Sequence, residues 1–123
     1  MRAILFRGKR YNGAWLAGDL LANKYERPNI CPIGDVNCYP VIPETVGQYT
    51  GMKDEYGRKI FEGDIVSHFS NYSGHRVYAV VTYTDGQFLA MTNDNAGLYL
   101  SDKLEVIGNI FDNPELLKGE ENE

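Results

Sequence analysis

The feature that most restricts the fold of this chain is the close spacing of turn residues in Thr45–Val66, which reads TVGQYTGMKDEYGRKIFEGDIV. This run contains two polar turns, Lys53–Gly57 and Glu62–Asp64, each with a glycine available for positive φ. Only the short extended piece Lys59–Phe61 separates them. Two chain reversals within about fifteen residues are typical of small, strongly bent β barrels.

The N-terminal residues predict a β-hairpin. Ala3–Arg7 is a short apolar strand, and Asn12-Gly13 is the strongest two-residue hairpin signal, because both positions tolerate positive φ. The return strand is Ala14–Leu21. Gly18 interrupts that strand and indicates a bulge or a close approach of another backbone segment.

Residues 23–43 are predicted to be irregular, because prolines remove backbone donors and fix φ. The segment is expected to wrap the core or to pair briefly at a sheet edge. Cys31 and Cys38 are predicted to be free thiols in a reducing compartment, although a disulfide is geometrically possible. Their spacing to His68 and His75 matches no zinc pattern.

The remaining turn signals divide the second half of the chain into further strands, predicted at 65–69, 75–84, 87–92, 98–100 and 104–110. Asn113 and Pro114 predict the start of a short helical turn over 115–118. The predicted fold is mainly β, with an N-terminal hairpin region, a small SH3-like barrel and a C-terminal helical turn. We expect a single domain over 1–118, with possible lobes 1–50 and 51–118, followed by an acidic tail at 119–123.

The bulk properties are those of an ordinary globular domain. The chain has 123 residues, and a domain of that size buries about two thirds of its unfolded surface. It contains no run of about 18 apolar residues, which a membrane span needs. The four-residue apolar stretch near the N-terminus is shorter than a secretory signal requires, so a cytoplasmic location is expected.

Charge is distributed unevenly along the sequence. Residues 1–27 carry six basic and two acidic residues, a net +4, whereas the remainder carries six basic and fifteen acidic residues, a net −9. Such asymmetry can mark nucleic-acid contact, or the docking of a basic face of one subunit on an acidic face of another. It can equally reflect an unevenly decorated solvated surface.

The sequence offers no set of residues that would perform chemistry. Glu62 and Asp64 could form a carboxylate pair, but they flank a turn glycine, where aspartate more often accepts backbone hydrogen bonds. Ser67 and His68 are adjacent in a predicted strand, so their side chains point to opposite faces. We therefore predict no catalytic, cofactor-binding or metal-binding residues and no enzymatic activity.

Aromatic residues are the more informative class, with fifteen in total, of which nine are tyrosines. Tyrosine is enriched at protein interfaces, and it also stacks on single-stranded bases. We expect Trp15 to pack across the N-terminal hairpin, near Ile4 or Phe6. The predicted interface residues are Tyr72, Tyr78 and Tyr99, and an alternative nucleic-acid site would use Arg2, Arg7, Lys9 and Arg10.

Three blocks, ILFRGKR, QYTGMKDEYGRKIFEGDIV and EVIGNIFDNPELL, occur in this order over most of the chain. They resemble the YopX family of proteins encoded by phages and prophages. The resemblance implies a bacterial host cell and supplies context rather than a mechanism. We therefore expect a non-enzymatic accessory protein that acts through protein contacts as a homo-oligomer, without a cofactor, and nucleic-acid binding is the alternative.

Overall fold

The computed structural model describes residues 4–23, 26–72, 74–93, 96–101 and 103–117, and for residues 23 and 26 it describes the backbone alone. A 3₁₀ turn at Pro43–Thr45 and a helical turn at 115–117 accompany the strands. The prediction of a mainly β fold with a short C-terminal helical turn is confirmed. The strands are β1 Phe6–Lys9, β2 Trp15–Asn23, β3 Glu26–Cys31, β4 Tyr39–Pro40, β5 Gly47–Lys53, β6 Lys59–Phe61, β7 Asp64–Ser70, β8 His75–Thr84, β9 Gln87–Met91, β10 Gly97–Tyr99 and β11 Glu105–Asn109.

The chain divides into two compact units, Met1–Tyr49 and Thr50–Glu123. In the first unit the antiparallel strand order is β4-β3-β2-β1-β5, and β6 pairs with the continuation of β5 in the second unit. The second unit also contains an antiparallel sheet with the order β10-β9-β8-β7-β11. The predicted lobes 1–50 and 51–118 and their grouping as one domain stay predictions, and the acidic tail lies outside the described residues.

β1 and β2 form the predicted hairpin around Asn12-Gly13, with Gly13 at φ 94°. Trp15 lies opposite Lys9, so strand alternation places it on the face opposite Phe6. The prediction that Trp15 packs near Ile4 or Phe6 is therefore wrong. Instead, the Arg7 guanidinium lies 4.9 Å from the centre of the Trp15 ring.

Gly18 lies where the backbone of β3 passes close to β2. A Cβ at this position would overlap the carbonyl oxygen of Cys31 and would lie 2.7 Å from Pro32 Cα. The close backbone approach predicted from Gly18 is confirmed, and it explains why a residue without a side chain is needed inside β2.

The prediction that residues 23–43 are irregular is wrong for β3, which is an internal strand between β2 and β4, whereas β4 is the brief pairing expected at a sheet edge. Pro28 falls where the register shifts between Leu21 and Asn23, so the ladder does not depend on the missing proline donor. Pro40 lies in the two-residue strand β4. The prolines therefore occupy positions that a sheet tolerates.

The prediction of free thiols is also corrected, because Cys31 and Cys38 form a disulfide with their Cα atoms 4.1 Å apart. Ile30 pairs with Tyr39 in the β3–β4 ladder. The two cysteines occupy the next facing positions of that ladder, so the hairpin itself brings the sulfur atoms together. This juxtaposition depends on strand pairing that the sequence alone did not reveal.

Just after β4, the chain of the first unit pairs with the residues at the end of β1. Val41 forms an isolated antiparallel bridge with Arg10, and its amide donates to the Pro28 carbonyl at 3.1 Å. The Ile42 amide donates to the Lys9 carbonyl at 2.7 Å. We call this junction of Lys9 and Arg10 with Val41 and Ile42 the seam; Val41 is fully buried there, and Ile30 in β3 is fully buried as well.

The second unit has its own apolar core. Its buried members are Ile60, Val66, Ala79, Val81, Ala90 and Leu104. β7 pairs with β8 and β11, and β8 pairs with β9 through a turn in which Asp85 and Gly86 both have positive φ. Within the described residues, β10 and β11 each pair with one strand of this sheet and are therefore its two edge strands. Closure into an SH3-like barrel therefore stays a prediction.

β11 contains a register shift between Val106 and Gly108, where the predicted strand was interrupted by glycine. The Asn113 side chain does not cap the helical turn, contrary to the prediction. Its Oδ1 instead accepts the amide of Asn109, four residues earlier, at 3.2 Å. Its carbonyl accepts the Leu116 amide at 3.1 Å and so begins the helical turn. None of the described helical segments has the length and apolar character needed to cross a bilayer.

Candidate functional site

Asp54 organises the turn that precedes β6. Its Oδ1 accepts the Tyr56 and Arg58 amides at 2.9 and 2.8 Å. Its Oδ2 accepts Arg58 Nε at 3.2 Å and the Val106 amide at 3.0 Å. The side chain is buried, and it therefore ties the turn to the outer edge of β11.

Hydrogen bonding decides the protonation state of this carboxyl group. Burial raises the pKa of Asp54, but the hydrogen bonds from the Val106, Arg58 and Tyr56 amides and the Arg58 charge lower it by more, to below its ordinary value. Asp54 is therefore an ionised structural anchor with four donors around it.

Asp54 is the buried end of a network of charged side chains. Arg58 contacts both Asp54 and Glu105, the latter through an N···O distance of 3.6 Å. Arg76 lies 4.0 Å from Glu105 and donates to Ser67 Oγ at 2.9 Å. Arg58 and Arg76 are each about half exposed, so these ion pairs orient side chains more than they stabilise the fold.

Arg76 and Glu105 also line an open groove of about 470 Å³ in the second unit. Aromatic side chains at its border are unusually exposed: Phe69 is 52% accessible and Tyr72 is fully accessible. We refer to this feature as the β7–β8 groove. Its lining consists of Glu55, Ser67, His68, Phe69, Ser70, Asn71, Tyr72, Arg76, Lys103 and Glu105.

The three predicted interface tyrosines have different positions. Tyr72 borders the β7–β8 groove, and Tyr99 is 81% exposed beside a smaller neighbouring depression of about 160 Å³ that shares His68 and Lys103 with the groove. Tyr78 is half-buried within β8, opposite Ser67, and does not line either depression. Sequence analysis did not identify Phe69 or Lys103 as site residues.

The turn between β6 and β7 has the structural role expected of it. Asp64 is buried, and its Oδ2 accepts the Phe61 amide at 2.7 Å. Gly63 has φ 92°, and its carbonyl accepts the Ile110 amide at 3.0 Å. Among the described residues, His, Cys, Asp and Glu side chains form no group of three that could hold a metal ion.

Of the predicted basic residues, the structure describes Arg7, Lys9 and Arg10, and these three do not share one strand face. Arg7 and Lys9 share a strand face with Trp15, whereas Arg10 lies at the seam. Arg2 lies outside the described residues.

Two arginine–aromatic stacks lie at or next to the seam. The Arg10 guanidinium lies 4.7 Å from the centre of the Tyr39 ring, and that of Arg27 lies 5.4 Å from the Tyr11 ring. The hydrogen bond from Val41 to Pro28 brings the start of β3 beside the end of β1, next to both stacks. Sequence analysis missed Tyr11, Arg27 and Tyr39 because the seam joins segments that are far apart in sequence.

Comparison with known proteins agrees with this architecture. The crystal structure of protein EF1440 from Enterococcus faecalis is similar to this chain, with a TM-score of 0.60 and 26% sequence identity over 95% of this chain and 99% of that one. No curated protein matches the chain. The YopX protein family matches residues 11–118, which cover most of each unit. Since that match covers most of the sequence, the chain belongs to the YopX protein family.

Proposed function

We propose that this protein is a non-enzymatic accessory protein of a phage or prophage, and that it acts in the cytoplasm of the bacterial host through contacts with other polypeptides. Its membership of the YopX family, together with the phage and prophage origin that the sequence resemblance implies, supports the context. The β7–β8 groove supports the mode of action.

The observation that carries the proposal is the exposure of Phe69 and Tyr72 beside that groove. Aromatic residues and arginine dominate the binding energy of protein interfaces, and they act from sites that a partner can desolvate. Arg76 lines the same groove and is positioned by Ser67 and Glu105. An interface centred there would combine apolar anchors with a charged side chain that is already oriented in the same groove.

A second copy of this chain is the partner that charge favours. The unit Met1–Tyr49 carries six basic and four acidic residues, and the unit Thr50–Glu123 carries six basic and thirteen acidic residues. Complementary charge steers association and selects orientation. The positive unit of one copy therefore complements the negative unit of another, and the protein is proposed to be a homo-oligomer.

Sedimentation velocity at about 50 µM protein tests this proposal, a concentration at which even a weak specific interface is populated. We expect an oligomer that dissociates when Phe69→Ser and Tyr72→Ser are combined. Tyr83→Ser is the matched control, because Tyr83 is also more than half exposed but lies outside the groove lining. A monomeric wild-type protein, or equal dissociation in the control, would contradict the proposal.

The second candidate function is the binding of single-stranded nucleic acid at the seam, and the observation that favours it is the pair of stacks Arg10–Tyr39 and Arg27–Tyr11. A guanidinium stacked on a ring keeps its N–H groups available to phosphate, and the ring itself can stack on a base. The predicted residues Arg7 and Lys9 lie on the neighbouring strand β1.

Fluorescence anisotropy with a labelled oligothymidylate tests this candidate. Combined Arg10→Ala and Arg27→Ala substitutions should weaken binding by about tenfold or more, and the wild-type affinity should fall steeply as salt rises. Lys53→Ala, an exposed change in the other unit, should have a much smaller effect. Absence of binding at low salt would eliminate this candidate.

A further inference from the structure

The disulfide Cys31–Cys38 closes a six-residue loop at the end of the β3–β4 hairpin. Strand pairing holds both ends of that loop independently of the sulfur bond, since Asn29 pairs with Pro40 and Ile30 with Tyr39. The backbone of Cys31 is further confined by its close approach to Gly18. The two sulfur atoms would therefore remain neighbours if the bond were reduced.

Hydrogen bonds inside the loop restrain it much less firmly than strand pairing restrains its two ends. Asp35 Oδ1 accepts the Asn37 amide and Asp35 Oδ2 accepts the Tyr39 hydroxyl, both at 2.9 Å. The Asp35 amide donates to the Pro32 carbonyl at 3.1 Å. Asp35 is exposed, and exposed hydrogen bonds of this kind open easily on their own. The disulfide therefore adds a covalent restraint to a loop whose ends are held by strand pairing and whose own hydrogen bonds are exposed.

We propose that Cys31 and Cys38 are a reversible redox modification site, at which a low-molecular-weight thiol couple such as glutathione opens and closes the loop 32–37. The inference rests on the proposed cytoplasmic location, because disulfides in that compartment are usually transient and redox-sensing or catalytic.

The chemistry balances with two equivalents of thiol. A glutathione thiolate attacks the sulfur of Cys38, the more exposed of the two residues, and forms a mixed disulfide while Cys31 leaves as a thiolate. A second glutathione thiolate then attacks the glutathione sulfur of that mixed disulfide. Cys38 is released as a thiolate, both cysteine thiolates take up protons, and oxidised glutathione carries away the sulfur–sulfur bond. Closing is the reverse, with two electrons and two protons passing to oxidised glutathione.

Opening the loop changes a surface rather than the core. Ile33 is 81% exposed and Val36 is 98% exposed, and both lie inside the loop that the disulfide closes. Tyr39 directly follows Cys38, donates to Asp35 and lies under Arg10. Reduction is therefore expected to free the two exposed apolar side chains and the Asp35–Tyr39 hydrogen bond beside one of the two stacks, while Ile30 and Val41 stay buried.

The test uses the full-length protein equilibrated with glutathione at stepped ratios of reduced to oxidised form, followed by alkylation and mass spectrometry. Amide hydrogen exchange is measured on the two end states. We expect a reversible two-electron transition. On reduction, exchange at residues 33–37 should rise about tenfold or more, whereas that at Ile30 and Val41 should change by less than about threefold. The double variant Cys31→Ser with Cys38→Ser should reproduce the reduced pattern and ignore glutathione.

Three results would overturn the inference. A pair that stays oxidised in reduced glutathione alone is a structural disulfide. Loss of protection throughout residues 4–49 on reduction would show that the bond holds the whole unit together. Unchanged exchange in the loop would show that the bond restrains nothing. None of these results bears on the β7–β8 groove, whose substitutions lie in the other unit and are scored by sedimentation.

Discussion

Asp54 accepts hydrogen bonds from two stretches of chain that are about fifty residues apart, and it is buried while doing so. Asparagine has nearly the same shape but one acceptor oxygen fewer. If its oxygen keeps the Tyr56 and Arg58 amides, its NH₂ group must face the Val106 amide and Arg58 Nε, which are also donors. The Val106 amide at the edge of β11 then has no acceptor from this side chain.

Asp54→Asn should lower the free energy of unfolding by about 3 kcal/mol, because it leaves buried donors without an acceptor. Urea denaturation monitored by circular dichroism measures the change. Glu55→Gln is the matched control, since Glu55 is the next residue and its side chain is exposed. A loss below about 1 kcal/mol in Asp54→Asn would contradict the role assigned to the carboxylate.

The lowered pKa of Asp54 also sets the sign of the acid response. A carboxyl group whose pKa is lower in the folded state stabilises the fold above its unfolded pKa of about 3.9, and this stabilisation is lost as pH falls through the folded value. Wild-type stability should therefore decrease below about pH 4, and the decrease should be smaller in Asp54→Asn. Urea midpoints at stepped pH values check this, and parallel pH profiles would contradict it.

Among the elements, the seam places Val41 in the interior although four prolines surround it in sequence. Val41 has no exposed surface, and a Cβ on Gly8 would lie 2.8 Å from its side chain, so β1 and Val41 are in close contact. Val41→Ala should cost about 2 kcal/mol of stability through lost packing and an unfilled cavity.

Val36→Ala is the matched control for this element, because it makes the same change in the same segment at a residue that is 98% exposed. Its effect should lie within about 0.5 kcal/mol. Equal effects of the two substitutions in urea denaturation would show that the seam is not part of the packed interior.

Elements with local turn chemistry could be predicted from the sequence, because the signal lies within a few residues. Asn12-Gly13 and Asp85-Gly86 form the turns expected of them. β3 and β4 could not be predicted in this way, since proline is a local penalty that a register shift at Pro28 removes. The disulfide was missed for the same reason, because its geometry follows from the β3–β4 pairing.

The candidate site shows the same division between local and long-range information. Tyr72 could be selected from composition and its position in a polar loop. The groove around it also requires Lys103 and Glu105, which only the pairing of β11 with β7 brings near Ser67. The stacks at the seam likewise join β1 to segments that follow it much later in the chain.

At the scale of the whole molecule, each unit has buried apolar residues of its own. Ile30, Val41 and Tyr49 are buried in the first unit, and the cluster containing Ile60 and Val66 lies in the second. β5 is the strand that continues from one unit into the other. The strength of the coupling through β5 therefore decides whether the two units unfold together. This coupling can be measured directly.

Trp15 is the only tryptophan and belongs to the first unit, so its fluorescence follows that unit, whereas far-ultraviolet circular dichroism follows the strands of both. If each unit unfolds around its own core, Val66→Ala should lower the urea midpoint of the second unit's part of the circular dichroism signal by about 1 M and leave the Trp15 midpoint unchanged. Val41→Ala should shift the Trp15 midpoint instead. Equal shifts of both signals in each variant would show that β5 makes the chain one cooperative body, because a two-state transition gives every probe the same midpoint.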